Sequence, residues 1–252
     1  MNALVLAAGK GKRLTSVSSE VPKVLFEVNG KPLIDHALDM LSAVQFDEIC
    51  IIVGYKKEKI IKRYGDKYTY AVQIEQLGTG HAVMTTEPLF AHYNGDILVM
   101  YGDMPLFRSS SVRDFINVHE RSRAHCTIMT ACYDDPPEYG RIIRDEFGHF
   151  LDIIEAPDCS IQQRAFKEVN VGMYIFNGTI LFDTLKLLHN NNAQREYYLT
   201  DVPCLMQRSG FRIATYTLVD NEEAFGVNTP EDIRLCETIF EKRNSTMKGK
   251  RV

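Results

Sequence analysis

The stretch Leu6-Ala7-Ala8-Gly9-Lys10-Gly11-Lys12-Arg13, with Lys23 following Pro22, ends an apolar run in a flexible, cation-rich loop suited to gripping a triphosphate. Gly9 and Gly11 free the backbone to bend and to point N–H groups at an anion. Lys10, Lys12, Arg13 and Lys23 supply the opposing charge, and Arg13 can contact phosphate oxygens in bidentate fashion. Two familiar glycine motifs do not fit. A dinucleotide fingerprint requires a small residue where Leu14 stands, and a P-loop requires Gly-Lys followed by Ser or Thr, whereas Gly11-Lys12 is followed by Arg13. Taken alone, the loop is also compatible with a surface connection that carries solvated lysines.

A second chemical signal is DILVMYGD, Asp96 to Asp103, an apolar run that delivers the Asp103 carboxylate at the carboxyl end of a buried strand, where open α/β sheets bind ligands. Pro105 stops the strand, and an Asp at such a place can also simply cap a turn. The segment Gly226-Val227-Asn228-Thr229-Pro230-Glu231-Asp232 offers a partner. Thr229 reads as an N-cap, Pro230 as the first helical residue and Asp232 as a third-position acid, ahead of the periodic Ile233, Leu235, Ile239 and Phe240. Asn228 then sits just outside the helix with its amide oxygen available. One carboxylate plus one carboxamide suits Mg²⁺, a hard ion that completes its shell with water and phosphate oxygens.

These residues need a scaffold, and the 252-residue chain is long enough to supply one large α/β domain. Apolar runs at Asn2–Ala7, Ile49–Val53, Asp96–Met100 and Cys126–Cys132 alternate with helical stretches such as Pro32–Val44, whose apolar residues recur at Leu33, Ile34, Ala37, Leu38 and Leu41. That alternation predicts a mostly parallel sheet with helices on both faces. The charged stretch from Glu138 to Asn170 is expected to form a lobe grafted on the sheet, and the basic end, residues 242–252, a solvated disordered tail.

The net charge of −4 gives no reason to expect nucleic acid. No apolar stretch is long enough to span a bilayer, and Met1-Asn2-Ala3 runs directly into the first strand, so no signal peptide is expected. Six cysteines without a C-x-x-C pair fit a reduced compartment, with Cys50, Cys126 and Cys132 packing in strands as small hydrophobes. His36 and His81 lack a second ligand at zinc spacing and read as structural or lining residues.

The motifs in combination are specific: LAAGKGKRL with PKVL, GKP at Gly30 to Pro32, EQLGTGHA at Glu75 to Ala82, YGDMPL, YGRI at Tyr139 to Ile142, NVG at Asn170 to Gly172, NNNAQREYYLTD at Asn190 to Asp201 and GVN. Through them nearly the whole chain resembles the bacterial N-acetylglucosamine-1-phosphate uridyltransferases, the nucleotidyltransferase domain of a bifunctional enzyme. The resemblance implies a Rossmann-like, mostly parallel mixed sheet of the nucleotide-diphospho-sugar transferase type over residues 1–241, with the Glu138–Asn170 stretch on the sugar side.

Carried over by position, the resemblance implies that Leu6, Ala7, Ala8, Gly9, Gln73, Gly78 and Thr79 hold a uridine nucleotide. It places Tyr101, Gly102, Gly140, Glu155 and Asn170 on the sugar and Asp103 and Asn228 on Mg²⁺. Lys23 and Arg13 become the phosphate cations, with Asp103 the third catalytic residue. Gln73 by itself reads as an ordinary polar strand residue; as a uridine ligand, its carboxamide could pair with both the N3–H and a carbonyl of uracil.

The implied substrates are UTP and N-acetylglucosamine 1-phosphate, with no membrane partner, in a cytoplasmic monomer or homodimer. Two departures accompany the resemblance. The loop between Gly9 and Lys23 is longer, with the polar run Thr15-Ser16-Val17-Ser18-Ser19, and no hexapeptide repeat of a left-handed β-helix occurs before Val252, so acetyl transfer is not expected. Two rival readings share the residues: a nucleotidyltransferase for a different sugar or base, and a nucleotide-sugar-binding module without turnover.

Overall fold

Asn2–Ala7 forms strand β1, and all six of its residues are buried, as expected of a parallel strand covered on both faces. The computed structural model describes residues 1–11, 14, 21–90 and 92–249; the expected phosphate ligand Arg13, with Lys12 and the Thr15–Ser19 run, lies outside them. The other strands are β2 (Glu27–Val28), β3 (Lys31–Pro32), β4 (Ile49–Val53), β5 (Thr69–Val72), β6 (Asp96–Tyr101), β7 (Cys126–Cys132), β8 (Arg141–Arg144), β9 (Phe150–Ile154), β10 (Glu168–Asn177) and β11 (Ile213–Thr217). The α-helices are α1 (Leu33–Val44), α2 (Lys57–Tyr64), α3 (Thr79–Met84), α4 (Glu87–Phe90), α5 (Ser109–Ser122), α6 (Ile161–Arg164), α7 (Gly178–Leu185), α8 (Asp201–Arg208) and α9 (Pro230–Gly249).

The central sheet has the order β11-β7-β10-β6-β1-β4-β5. Every neighbouring pair along it is parallel except those made by β10, which runs antiparallel to both β6 and β7. Strand β1 lies at the middle, with Val5 facing Ile51 on one side and Met100 on the other. After β1 the chain builds outward through β4 and β5 and then returns to the opposite side of β1 with β6. Such a reversal opens a crevice at the carboxyl ends of the two strands, and the loops Ala8–Gly11 and Gly102–Asp103 emerge into it.

The alternation along β1 divides the core into two layers. Ala3, Val5 and Ala7 pack with Ile34, Leu38 and Leu41 of α1 and Phe115 of α5. Leu4 and Leu6 pack with Val83 of α3, Leu181 and Leu185 of α7 and Val202 of α8. A third cluster joins Cys236 and Ile239 of α9 to Val28 of the β2–β3 hairpin and to Leu33 at the start of α1.

Helix α9 starts as its sequence predicts: the Thr229 hydroxyl accepts the Asp232 N–H at 3.2 Å, and the Asp232 carboxylate accepts the Thr229 N–H at 2.7 Å. Two expectations are corrected. Leu235 faces solvent, and Cys236 occupies the inner stripe instead. The helix also continues to Gly249, where a disordered tail was expected from residue 242, because Arg243 donates to the Leu106 carbonyl at 2.8 Å and Lys242 meets Glu222 at 3.2 Å. Of the strand cysteines, Cys50 and Cys126 are buried as expected but Cys132, the last residue of β7, is exposed. His36 is structural: its ring stacks on Phe240 at 5.0 Å and meets the Val28 carbonyl at 3.1 Å.

The charged stretch from Glu138 to Asn170 contains the β8–β9 hairpin, which joins the sheet where Arg141 pairs with Val169 of β10. Phe115 of α5 is fully buried in the layer it shares with α1. Phe115→Ala should therefore destabilise the fold by about 3–5 kcal/mol, read as a lowered urea midpoint.

Candidate active site

At the crevice three distant segments meet on one ammonium group. The Nζ of Lys23 donates to the Asp103 carboxylate and to the Asn228 amide oxygen, the latter at 2.7 Å. Lys23 begins a 3-10 turn after Pro22, Asp103 follows β6, and Asn228 precedes α9. The Val227 N–H donates to the Asp103 carbonyl at 3.0 Å, so the two oxygen donors are tied through the backbone as well. Gly11 makes room for Lys23: its φ is +60°, and a Cβ there would stand 2.6 Å from the Lys23 Cβ.

Two cavities adjoin at Tyr101 and Asp103. The larger, about 410 Å³, is walled by Leu6, Ala7, Ala8, Gly9, Gln73, Gly78 and Thr79, with Lys10, Gly11, Lys23 and Glu196 also on its rim. The smaller, about 260 Å³, is walled by Tyr139, Gly140, Glu155, Asn170, Gly172 and Asn228 among others. Apart from Gly102, the residues that the sequence suggested for nucleotide and for sugar fall in two neighbouring spaces, with Tyr101 on the wall of both. Gly102 is different: its N–H donates to the Leu6 carbonyl at 3.0 Å and its Cα faces Val5, so it backs the junction and does not line either cavity.

In the larger cavity Gln73 is buried, and its amide N–H groups point to the Gly78 carbonyl at 2.9 Å and the His81 Nδ1 at 3.1 Å. Both donors are therefore engaged, and two-point pairing with a base, as the sequence suggested, needs one of them released. Residues 196–199 close one side, where Tyr197 and Gly80 bond across the gap at 2.8 Å and the Leu199 N–H reaches the Thr79 hydroxyl at 3.0 Å. That closure is how Glu196, to which the sequence reading assigned no role, comes to face the nucleotide-sized space; its only signal was its place in NNNAQREYYLTD.

The smaller cavity depends on an irregularity in β10. Pairing with β7 shifts register between Asn170 and Tyr174, as a bulge that re-aims side chains would do. Within it Asn170 donates to the Tyr174 hydroxyl at 2.6 Å and accepts the Gly172 N–H at 3.2 Å. Gly172 has φ +79°, and a Cβ would lie 2.1 Å from the Tyr101 ring, so only glycine lets that ring stand between the cavities. Glu155, after β9, accepts the Thr200 hydroxyl at 2.9 Å; burial raises its carboxyl pKa against the effect of that bond. Burial, with the Glu155 and Asp103 carboxylates nearby, also raises the Tyr101 hydroxyl.

Residues 2–215 match the family described as nucleotidyl transferase. The chain belongs to the nucleotidyl transferase family. It is 41% identical over 245 residues to the bifunctional protein GlmU of Limosilactobacillus fermentum, covering 97% of this chain and 53% of that protein. With the bifunctional protein GlmU of Halalkalibacterium halodurans it shares 39% identity over 241 residues, 96% of this chain and 52% of the relative. The chain thus spans about half the length of the curated relatives it matches. A solved UDP-glucose pyrophosphorylase in complex with UDP-glucose superposes with a TM-score of 0.77 at 20% identity, covering 96% of this chain and 98% of that one, and shares the fold. Among the described residues no helix is long and apolar enough to cross a membrane.

Behind Glu155, burial together with the carboxylates of Asp152, Glu155 and Asp158 pushes the Asp201 carboxyl from 3.8 up to about 6. With the folded value above the unfolded one, the folded chain keeps a proton that the unfolded chain loses as pH rises. The stability from this group is complete below pH 3.8 and is lost as pH climbs to about 6. Asp201→Asn should accordingly raise the urea midpoint near neutral pH, with the gain shrinking toward pH 4; an equal gain at both values would show that charge is not the cause.

Proposed function

We propose that this nucleotidyltransferase moves UMP from UTP to N-acetylglucosamine 1-phosphate, releasing pyrophosphate and giving UDP-N-acetylglucosamine. The observation that carries the reading is the junction of the two cavities, where the Lys23 ammonium, the Asp103 carboxylate and the Asn228 amide oxygen converge between a nucleotide-sized and a sugar-sized space. The choice of uridine and of N-acetylglucosamine is supported by EQLGTGHA and NNNAQREYYLTD, which resemble this branch of the family, and by the similarity to GlmU proteins.

The larger cavity would take the nucleoside. Small residues at Ala7, Ala8 and Gly9 let base and ribose lie against backbone, and Gln73, with its N–H groups turned to Gly78 and His81, presents its amide oxygen to the N3–H of uracil. The smaller cavity would take the sugar, whose hydroxyls and amide suit the Glu155 carboxylate and the Asn170 carboxamide.

Asp103 and Asn228 fit Mg²⁺: both are hard oxygen donors, and both already face a cation, the Lys23 ammonium. Bound there, Mg²⁺ would neutralise charge on the phosphates. The remaining work falls to the chain itself. The attacking phosphate is already anionic, so alignment and charge compensation suffice and no protein base is required. Lys23 has a flexible stem and stands at the edge of the nucleotide cavity, within reach of α-phosphate oxygens once it leaves Asp103 and Asn228. Arg13 is proposed as the second phosphate cation, and the compartment as the cytoplasm.

Pyrophosphate release measured with UTP, CTP, dTTP and GTP against the 1-phosphates of N-acetylglucosamine, N-acetylgalactosamine, glucose and galactose tests the reading. Strong preference for UTP with N-acetylglucosamine 1-phosphate, lost in chelator, is expected. Release with another pair would move the substrate, and silence despite tight UDP-sugar binding would make the protein a binding module. Asp103→Ala should fold normally and lose turnover by on the order of a thousandfold or more, and Lys23→Ala should lose on the order of a hundredfold in kcat. A rise only in the KM for UTP would reduce Lys23 to uniform binding.

A further inference from the structure

The segment that delivers Asn228 is tied down along its length. The Tyr133 hydroxyl donates to the Asn221 carbonyl at 2.9 Å. Glu223, 1% exposed, accepts the Arg108 N–H and the Ser111 hydroxyl, each at 2.8 Å. Nearer to Asn228, the Tyr139 hydroxyl donates to the Ala224 carbonyl at 3.1 Å and accepts the Gly226 N–H at 3.2 Å. Tyr133 and Glu223 line neither cavity, whereas Tyr139 lines the smaller one beside Gly140.

Tyr139 is itself held from behind. The guanidinium of Arg141, 3% exposed, donates to the carbonyls of Tyr139, Pro137 at 2.7 Å and Arg164 at 3.2 Å. The Gly140 carbonyl accepts the Asn170 N–H at 2.8 Å. The backbone that carries the phenol is therefore pinned, while the ring projects from it. The ring forms a wall of the sugar-sized cavity, and its hydroxyl holds the peptide groups two and four residues before Asn228.

We propose that Tyr139 is a positioning residue that couples occupancy of the smaller cavity to the placement of Asn228, so that a sugar there tightens cation binding at Asp103 and Asn228. The inference rests on the reading of that cavity as the sugar site. A pyranose packed against the ring restricts its tilt, and the hydroxyl passes that restriction to the Gly226 peptide. Glycine at 226 has more backbone freedom than any other residue, so a tie at this point removes conformations that metal binding would otherwise have to remove. The coupling is reciprocal: a cation on Asn228 favours the ring position that the sugar needs.

The test uses Mn²⁺ as the probe ion, with affinity read from the EPR signal of the free ion in saturating UDP β-methyl ester and in saturating UDP-N-acetylglucosamine. Both nucleotides carry the same diphosphate diester and the same charge, so the ratio of the two affinities isolates the sugar. The full chain is expected to bind Mn²⁺ about five- to tenfold more tightly with the sugar nucleotide. Tyr139→Phe keeps the ring and removes the hydroxyl, and should bring the ratio close to one while UDP-N-acetylglucosamine still binds. Tyr133→Phe removes a tie of the same segment away from the cavity and should keep the wild-type ratio. A wild-type ratio of one with both nucleotides bound overturns the proposal, as does a wild-type ratio in Tyr139→Phe or an equal loss in Tyr133→Phe. Failure of the unaltered protein to bind UDP-N-acetylglucosamine at all overturns the reading of the cavity, and the coupling with it. Thermal unfolding of both variants gives the folded fraction used to correct each affinity.

Discussion

The site depends on one ammonium group shared between two oxygen donors. Lys23 lies 80 positions from Asp103 and 205 from Asn228 in the chain, and its amine contacts both. Its side chain is 14% exposed and that of Asp103 21%, so neither charge is fully hydrated, and each offsets part of the other's cost of leaving water. The shared amine joins the loop after β1, the end of β6 and the start of α9 at one point. The same three segments then form the junction between the two cavities.

Around that junction the protein uses backbone geometry more than charge. The bulge in β10 turns Asn170 into the smaller cavity, and the left-handed Gly172 lets the Tyr101 ring fill the partition. Asn170, Glu155 and Gln73 each have a hydrogen-bond partner within the protein before any ligand arrives. Side chains held in this way lose little freedom on binding, which favours a site whose work is alignment. Glu155 and Asp201 show the cost of the arrangement, since burying carboxyl groups near one another raises their pKa values.

Local features of the fold are legible in the sequence. Continuous apolar runs became β1, β4, β6 and β7 at the expected positions, because a parallel strand buried on both faces must be apolar throughout. The capping pair Thr229–Asp232 marked the start of α9, because it is made by residues three apart. The helix end was misjudged for the complementary reason: what extends it beyond residue 241 is contact with Leu106, Asp220 and Glu222, and composition alone carries no trace of such partners. Leu235 was assigned to the inner stripe, where a small difference in helical phase puts Cys236 instead.

The amino-acid sequence by itself determined the element types, the family and the identities of the groups available for phosphate and cation chemistry, since these follow from residue type and short-range spacing. Only the tertiary structure decided which of those groups meet. The crossover around β1 brings Lys23 to Asp103 and Asn228, the register shift in β10 sets Asn170 toward Tyr101, and residues 196–199 fold across the nucleotide-sized cavity. Gly102, chosen by its motif, turned out to back the wall, and Tyr139, unremarkable in its motif, turned out to join the sugar-sized cavity to the segment carrying Asn228. Contacts between residues far apart in the chain are set by how the layers pack, and a linear pattern of residue types does not encode that packing in any local form.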